Sequence, residues 1–261
     1  MRDNPLRQRW NAGEAALGAW LSIPDSFCAE VVARTEFDYV CVDCQHGQIG
    51  YSSLPSILQA INLGTATPTV RVPWNEPGII GKSLDAGARA IIIPMVNTRT
   101  QAEAAVSACR YAPDGSRSYG PTRVSRQEGA DYHANANADT AVITMIETRE
   151  ALDNLDDILS VPGIDAIYVG PADLSISLGL PPGNNDGDPV FDEAYETILA
   201  ACDRHDVVPG CHTLASLGAR RLEQGWRMIT VHNDVLGVAR AAREDLAMAR
   251  GDSSEADGST Y

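Results

Sequence analysis

Short apolar runs rich in β-branched residues alternate along the chain with longer segments of helical periodicity. The short runs predict strands at Ala16–Leu21, Phe37–Asp43, Pro68–Val72, Ala90–Pro94, Ala141–Glu147, Ile164–Gly170, Val207–Cys211 and Arg227–His232. The intervening segments predict helices at Ser26–Thr35, Leu54–Asn62, Pro77–Ala86, Arg99–Arg110, Arg149–Leu159, Asp192–Arg204, Leu214–Gln224 and Val235–Ala249. Each predicted strand is therefore followed by a helix.

This regular alternation predicts an α/β protein with a parallel sheet. Runs such as Ala90-Ile91-Ile92-Ile93 are continuously apolar, as strands covered on both faces should be. Eight strand–helix units are typical of a (β/α)₈ TIM barrel. A doubly wound sheet is the alternative, but the turn after the first strand lacks the glycine-rich phosphate-binding sequence expected there.

The pattern extends over residues 1–250, which we interpret as a single barrel domain. We expect the short acidic tail at 251–261 to be disordered. The longest irregular stretch, Ala112–Asn137, is rich in Gly, Pro, Ser and Arg. It predicts a functional loop, because long loops without secondary structure are uncommon in compact domains.

The charge balance narrows the choice of partners. The 261 residues include 35 Asp and Glu against 20 Lys and Arg, a net charge of −15. Such a chain repels phosphate backbones and anionic lipids, so we expect neither nucleic acid nor a membrane as a partner. There is no apolar run of membrane-spanning length and no signal-peptide pattern, and we expect a cytoplasmic protein.

Cysteine and lysine chemistry are both constrained by the sequence. Cys41 and Cys44 have C-x-x-C spacing, but no second such pair follows and alternation places them in a strand. We therefore expect buried, reduced thiols and not a zinc or redox site. Lys82 is the single lysine, so any Schiff-base chemistry would depend on it alone.

Polar groups cluster where the predicted strands end, which is where a (β/α)₈ barrel assembles its active site. They are Asp43, Gln45 and His46 after the second strand, Arg71 at the third, Glu147 at the fifth, Gly170 to Asp173 after the sixth, His212 after the seventh, and His232 to Asp234 at the eighth. His46 and Arg71 suit proton transfer and oxyanion binding. We interpret His212 and His232 as packing residues at the barrel mouth.

Glu147 and Asp173 are the most distinctive pair. Two carboxylates at neighbouring strand ends could bind a divalent cation such as Mg²⁺ or Mn²⁺. They could also form a general acid–base pair, or Asp173 could cap the helix that begins there. The backbone N–H groups of Gly170-Pro171-Ala172 could receive a small carboxylate.

Six segments, taken in order, resemble the HpcH/HpaI aldolase family: Phe37 to Gly47, Leu84 to Ala88, Pro94 to Val96, Arg110 to Arg117, Ile146 to Thr148, and Val169 to Ser175. The resemblance runs from about Gly18 to Leu246. It implies a barrel of the pyruvate/phosphoenolpyruvate-binding type. It also implies a hexamer, built as a trimer of dimers, with the last helix exchanged between subunits.

The same resemblance implies a class II aldolase that uses Mg²⁺, Mn²⁺ or Co²⁺ to cleave a 4-hydroxy-2-oxo acid reversibly into pyruvate and an aldehyde. Glu147 and Asp173 would bind the metal, and Gly170, Pro171, Ala172 and Asp173 would bind the pyruvate carboxylate. Arg71 would hold the keto oxygen, and His46 would transfer protons. Asp85 would be the acidic partner of His46, often from a neighbouring subunit, with Asp43 and Gln45 supporting the site.

Three positions depart from the family pattern: Gln45 where Glu is common, Met145 where Gln is common, and Ser118 where Gly follows the loop arginine. These departures leave the aldehyde open. Decarboxylation of an oxaloacetate-like 2-oxo acid at the same site, a CoA-thioester lyase, and a non-catalytic 2-oxo-acid-binding barrel are the alternatives. The high acidity argues against CoA, whose phosphates need a positive surface.

Overall fold

The computed structural model describes residues 4–251. Its strands are β1 Ala16–Leu21, β2 Tyr39–Asp43, β3 Thr67–Arg71, β4 Ala90–Ile93, β5 Ala141–Ile146, β6 Ala166–Val169, β7 Val208–His212 and β8 Met228–Asn233. Its α-helices are α1 Pro5–Asn11, α2 Ser26–Ala33, α3 Leu54–Ile61, α4 Pro77–Asp85, α5 Arg99–Cys109, α6 Val124–Glu128, α7 Tyr132–Asp139, α8 Arg149–Asp153, α9 Leu155–Leu159, α10 Pro171–Ser177, α11 Pro189–His205, α12 Gly218–Gln224 and α13 Asp234–Arg250. A 3₁₀ turn, Ala215–Leu217, precedes α12.

The strands form a closed parallel barrel in chain order, with β8 pairing back to β1. The predicted (β/α)₈ fold is confirmed, and each predicted strand matches an observed one to within two residues at either end. The register places Asp43 at the end of β2 directly beside Arg71 at the end of β3. Two charged groups that lie 28 residues apart in sequence are thereby brought together at one rim.

Alternation along the strands divides the core in two. Val40 and Val42 point outward into the layer between barrel and helices, whereas Tyr39 and Cys41 point into the barrel. The interior is filled by side chains from several strands, including Trp20, Ile92 and Tyr168. The barrel is therefore a packed core with chemistry possible only at its ends.

Helix α1 covers the amino-terminal end of the barrel. Leu6 is fully buried and joins the interior cluster, and the Asn4 side-chain amide donates to the carbonyl oxygens of Arg89 and Asp139 at 2.8 and 2.7 Å. Asn4 also caps the helix, because its Oδ1 accepts from the Leu6 N–H. With this end closed, the carboxyl ends of the strands form the accessible mouth.

Several predictions of helices and loops were wrong in detail. Residues 112–137 were interpreted as one irregular loop, but α6 and most of α7 lie within them. The helix predicted at Arg149–Leu159 is two short helices that meet at Asn154. The predicted tail at 251–261 lies outside the described residues apart from Gly251. Among residues 4–251, every helix is too short or too polar to cross a bilayer.

Candidate active site

A buried ion pair joins the ends of β2 and β3. Arg71 donates from Nε to Asp43 Oδ1 at 2.9 Å and from Nη2 to Oδ2 at 2.7 Å, a bidentate arrangement that fixes the guanidinium plane. Asp43 Oδ1 also accepts from the backbone N–H groups of Gln45 and His46. Burial works to raise the pKa of Asp43, but the bonds from Arg71 outweigh it and hold that pKa below its usual value.

Arg71 remains available on one side. Its pKa is raised: burial opposes the charged form, and the hydrogen bonds and charge of Asp43 outweigh that cost. Nη1 donates to none of the described residues, and the side chain is 11% exposed at the mouth. The guanidinium carbon lies 4.8 Å from the ring centre of Trp20, which supports its inner face. Arg71 is thus a fixed cation with one amino group directed away from its partner.

Glu147 follows β5 and is 1% exposed. Its Oε1 accepts the Met95 N–H at 2.7 Å, whereas Oε2 is buried without a partner among residues 4–251. Met95 adopts a φ of 55°, a strained conformation for a residue with a side chain, and this turns its N–H toward the carboxylate. A carboxylate that is held in place on one oxygen and unsatisfied on the other is suited to a ligand that supplies positive charge.

Gly170 makes room for that oxygen. A Cβ at this position would lie 2.8 Å from Glu147 Oε2 and 3.0 Å from the Met145 methyl carbon. Met145 is therefore a buried apolar neighbour of the site and offers Glu147 no hydrogen bond. A larger residue at this point in the barrel would crowd Oε2.

Asp173 lies in the first turn of α10, exposed at the mouth. The helix is capped by Gly170 with no side-chain capping bond, so the capping alternative for Asp173 has no support. The pKa of Glu147 is raised to about 7, first by burial and then by the negative charge of Asp173. The hydrogen bond from the Met95 N–H and the charge of Arg71 oppose this rise. The two carboxylates are therefore close enough for the charge of Asp173 to act on Glu147.

These two side chains fit a hard divalent cation. Carboxylate oxygens are the ligands such ions prefer, and neither group is neutralised by a cation in direct contact. The described residues contain no cluster of three or more metal-binding side chains. An ion held by two carboxylates alone would keep several positions for water and substrate. The nearby N–H groups of Ala172 and Asp173 are free at the start of α10, whereas Pro171 has none to offer.

Glu147→Gln is expected to stabilise the metal-free protein at pH 8 but not at pH 4.5. The fold holds the Glu147 proton up to about pH 7, while the unfolded chain releases it near its usual pKa of 4.5. Stability therefore falls as pH rises from about 4.5 through 7, and an amide escapes this loss, which amounts to about 3 kcal/mol. Denaturation in chelator at both pH values measures it. Equal changes in the exposed control Glu150→Gln would contradict the site-specific cause.

His46 and Asp85 are not brought together within one chain. His46 is exposed in the loop after β2, at the mouth. Asp85 ends α4, and since the helices run opposite to the strands, it lies toward the amino-terminal end of the barrel. There Arg117 donates to Asp85 Oδ1 at 2.7 Å and to the Tyr132 hydroxyl at 2.8 Å. A role for Asp85 at a mouth requires a second copy of the chain.

The sequence did not reveal an aromatic layer beneath Arg71. Trp20 stacks on Tyr168 at 5.6 Å between ring centres and meets the edge of His212 at 5.1 Å. All three belong to strands. Their positions in the alternation of inward- and outward-facing residues, close to the strand ends, could have identified them. His212 does pack at the mouth as predicted, but it also hydrogen-bonds to Tyr168.

The six cysteine thiols are all free. Burial raises the pKa of Cys41 well above its usual value and that of Cys44 to about 12, so both are protonated at neutral pH. The C-x-x-C spacing therefore carries no thiolate chemistry here.

Gln45 is half-buried, and its Oε1 finds no partner among the described residues.

A family model described as HpcH/HpaI aldolase/citrate lyase matches residues 16–231. The chain is 41% identical over 251 residues to a hydroxypyruvate/pyruvate aldolase from Rhizorhabdus wittichii, covering 95% of this chain and 99% of that protein. It is 36% identical over 243 residues to a 4-hydroxy-2-oxo-heptane-1,7-dioate aldolase from Salmonella arizonae, covering 92% of each. A family structure from Burkholderia cenocepacia J2315 superposes with a TM-score of 0.88 at 34% identity, covering 95% and 99% of the two chains.

Proposed function

The chain belongs to the HpcH/HpaI aldolase/citrate lyase family, and we propose that it works as a metal-dependent class II aldolase on the site described above. It is a carbon–carbon lyase that cleaves a 4-hydroxy-2-oxo acid to pyruvate, or a close 2-oxo acid, and an aldehyde. The observation that carries the site assignment is the partnerless Glu147 Oε2 beside Asp173, with Arg71 fixed nearby.

In this proposal Glu147 and Asp173 hold Mg²⁺, Mn²⁺ or Co²⁺. When bound, such an ion supplies a Lewis acid that draws electron density from the keto oxygen of the substrate. Arg71 donates from Nη1 to the same oxygen, and because Asp43 holds the guanidinium rigid, little reorganisation is needed as negative charge develops. The free N–H groups of Ala172 and Asp173, next to Gly170 and Pro171, receive the substrate carboxylate.

His46 handles protons in this proposal. Cleavage breaks the C3–C4 bond while the C4 hydroxyl loses its proton, so that an aldehyde and the enolate of pyruvate form. His46 takes that proton, through a water molecule, and a proton is returned to C3 to give pyruvate. The backbone of His46 is tied to Asp43, which keeps its loop beside Arg71. Asp85 of a neighbouring subunit orients the imidazole.

The oligomer proposed is a hexamer, a trimer of dimers that exchanges α13. The helix is 17 residues long, and Asp234 is its one buried residue. Apolar side chains Val235, Leu236, Val238 and Leu246 are exposed on it, and Phe27 of α2 is 71% exposed. Exposed apolar residues at this density indicate a surface that another subunit covers. The free thiols fit a reducing cytoplasm.

Activity is expected only with metal. The protein is stripped with chelator, and pyruvate release is followed on a panel of 4-hydroxy-2-oxo acids and oxaloacetate before and after Mg²⁺, Mn²⁺ or Co²⁺ is returned. Pyruvate from the hydroxy acids only after metal is added supports the aldolase. Undiminished activity without metal contradicts it, and turnover of oxaloacetate alone would favour decarboxylation.

Mixing two inactive variants is expected to restore activity. His46→Ala and Asp85→Ala each remove one member of a pair that two chains share, so a mixed assembly regains about one quarter of the sites if mixing is random. Co-expression with two affinity tags, followed by an activity assay of the doubly purified assembly, measures it. Full activity of Asp85→Ala by itself, or no recovery on mixing, would contradict a shared site.

A further inference from the structure

His212 is a group at the mouth that the proposed chemistry does not use. It is the last residue of β7, with a half-buried ring. The edge of that ring meets Trp20, and Trp20 also lies under the guanidinium of Arg71, 4.8 Å from its ring centre. His212 and Arg71 thus share one aromatic neighbour, which places the imidazole beside the group expected to hold the keto oxygen.

Hydrogen bonding inside the barrel fixes which nitrogen of His212 carries the proton. The Tyr168 hydroxyl donates to Thr230 Oγ1 at 2.5 Å, and Thr230 also bonds to the Tyr39 hydroxyl at 2.8 Å. Tyr168 has a single hydroxyl proton, so its oxygen can only accept from His212 Nδ1, 3.5 Å away. In the neutral ring Nδ1 therefore carries the hydrogen, and Nε2 presents a lone pair.

The ring is neutral at physiological pH. Burial first, and then the charge of Arg71, lower the pKa of His212 to about 4, while Asp43 opposes this only in part. A base this weak is poorly suited to proton transfer near pH 7. Nε2 makes no hydrogen bond within residues 4–251, so it is left as a hydrogen-bond acceptor at the mouth.

We propose that His212 is a specificity-determining residue whose Nε2 accepts a hydrogen bond from a hydroxyl group of the substrate, next to the carbons that react. This inference rests on the proposed aldolase function and names its substrate class. An acceptor lone pair attracts a hydroxyl but repels a carboxylate or a bare carbonyl oxygen. The site should therefore favour hydroxylated substrates over deoxy or carboxylated analogues. The hydroxyl could belong to the aldehyde or to the 2-oxo acid.

His212→Leu tests this in two arms of the condensation direction with saturating Mg²⁺. One arm compares glycolaldehyde with acetaldehyde, using pyruvate as the common donor. The other compares hydroxypyruvate with pyruvate, using acetaldehyde as the common acceptor. We expect the preference for the hydroxylated compound, as a ratio of kcat/KM values, to fall about tenfold in one arm, because one neutral hydrogen bond is lost. The arm that responds identifies which substrate carries the hydroxyl.

Two further variants keep the test informative if leucine disturbs folding. His212→Asn retains an acceptor oxygen and should keep part of the preference, whereas Tyr168→Phe releases the constraint on Nδ1 and should weaken it. His232→Leu is the matched control, since this strand-end histidine stacks on Phe37 instead of Trp20. It should leave both ratios unchanged.

An unchanged ratio in both arms for a folded, active His212→Leu enzyme would overturn the inference. So would an equal loss for all substrates, which would place His212 in the common chemistry, or a wild-type enzyme that shows no preference for hydroxylated compounds. If the wild-type protein with metal turns over no pair of substrates, the proposed function itself fails. That result is distinct from an active wild-type enzyme whose substrate preference is unchanged by His212→Leu.

Discussion

Glu147→Ala is expected to abolish metal-dependent turnover, with a loss of at least about a thousandfold in kcat, because the variant removes a carboxylate that would hold the Lewis acid. The remaining Asp173 is exposed on a short helix and offers too few ligands alone. Asp173→Ala should have a similar effect. The metal dependence of activity and direct Mn²⁺ titration of each variant measure both consequences.

Because Glu147 is buried, we expect it to affect the pH dependence of metal binding as well as the number of ligands. Oε2 has no protein partner in the described chain, so its desolvation is uncompensated until a cation arrives. Metal binding should therefore compete with protons, weakening as pH falls below the Glu147 pKa of about 7. In Glu147→Gln that pH dependence should vanish along with most of the affinity.

A matched surface variant separates this effect from general damage. Glu150 lies three positions along the chain in the exposed first turn of α8, and Glu150→Ala should retain wild-type activity and metal affinity. Wild-type kcat together with tight Mn²⁺ binding in Glu147→Ala would remove Glu147 from the metal site. Loss of activity with unchanged Mn²⁺ affinity would instead favour an acid–base role.

Much of this site can be predicted by applying general rules of barrel architecture to the sequence. In a parallel barrel every strand ends at the same rim, so Asp43, Arg71 and Glu147 had to meet near the mouth once the strands were placed. The pairing of Asp43 with Arg71 required only the register of β2 and β3. Asp173 followed from its place just after β6.

Other features depend on contacts that no local pattern encodes. Helices α6 and α7 are short, contain mostly small or polar residues and bury one side chain each, so they lack the apolar periodicity that predicts a helix. The tautomer of His212 is set by Tyr168 and Thr230, on two other strands. The free oxygen of Glu147 depends on the backbone turn at Met95 and on the missing side chain at Gly170.

Arg71→Met is expected to lower kcat by at least about a hundredfold, the usual effect of removing one donor to a developing oxyanion. It should also destabilise the protein, because Asp43 is then left buried with neutral donors only, the N–H groups of Gln45 and His46 and the Trp20 side chain. Removing one partner of a buried ion pair costs about 3–5 kcal/mol, so an inactive variant would not by itself prove a catalytic role. Steady-state kinetics and urea denaturation must be measured together.

The double variant Arg71→Met/Asp43→Asn separates the two contributions. Without the stranded charge, most of the lost stability should return, since replacing both members of a buried pair is often nearly neutral. The asparagine can still accept the backbone N–H groups of Gln45 and His46, so the loop keeps its anchor. Activity should stay low, because no guanidinium remains to donate to the keto oxygen, while the exposed control Arg99→Met should change neither quantity. Recovery of activity along with stability would mean that Arg71 acts only by neutralising Asp43, and the keto oxygen would then need another donor at the mouth.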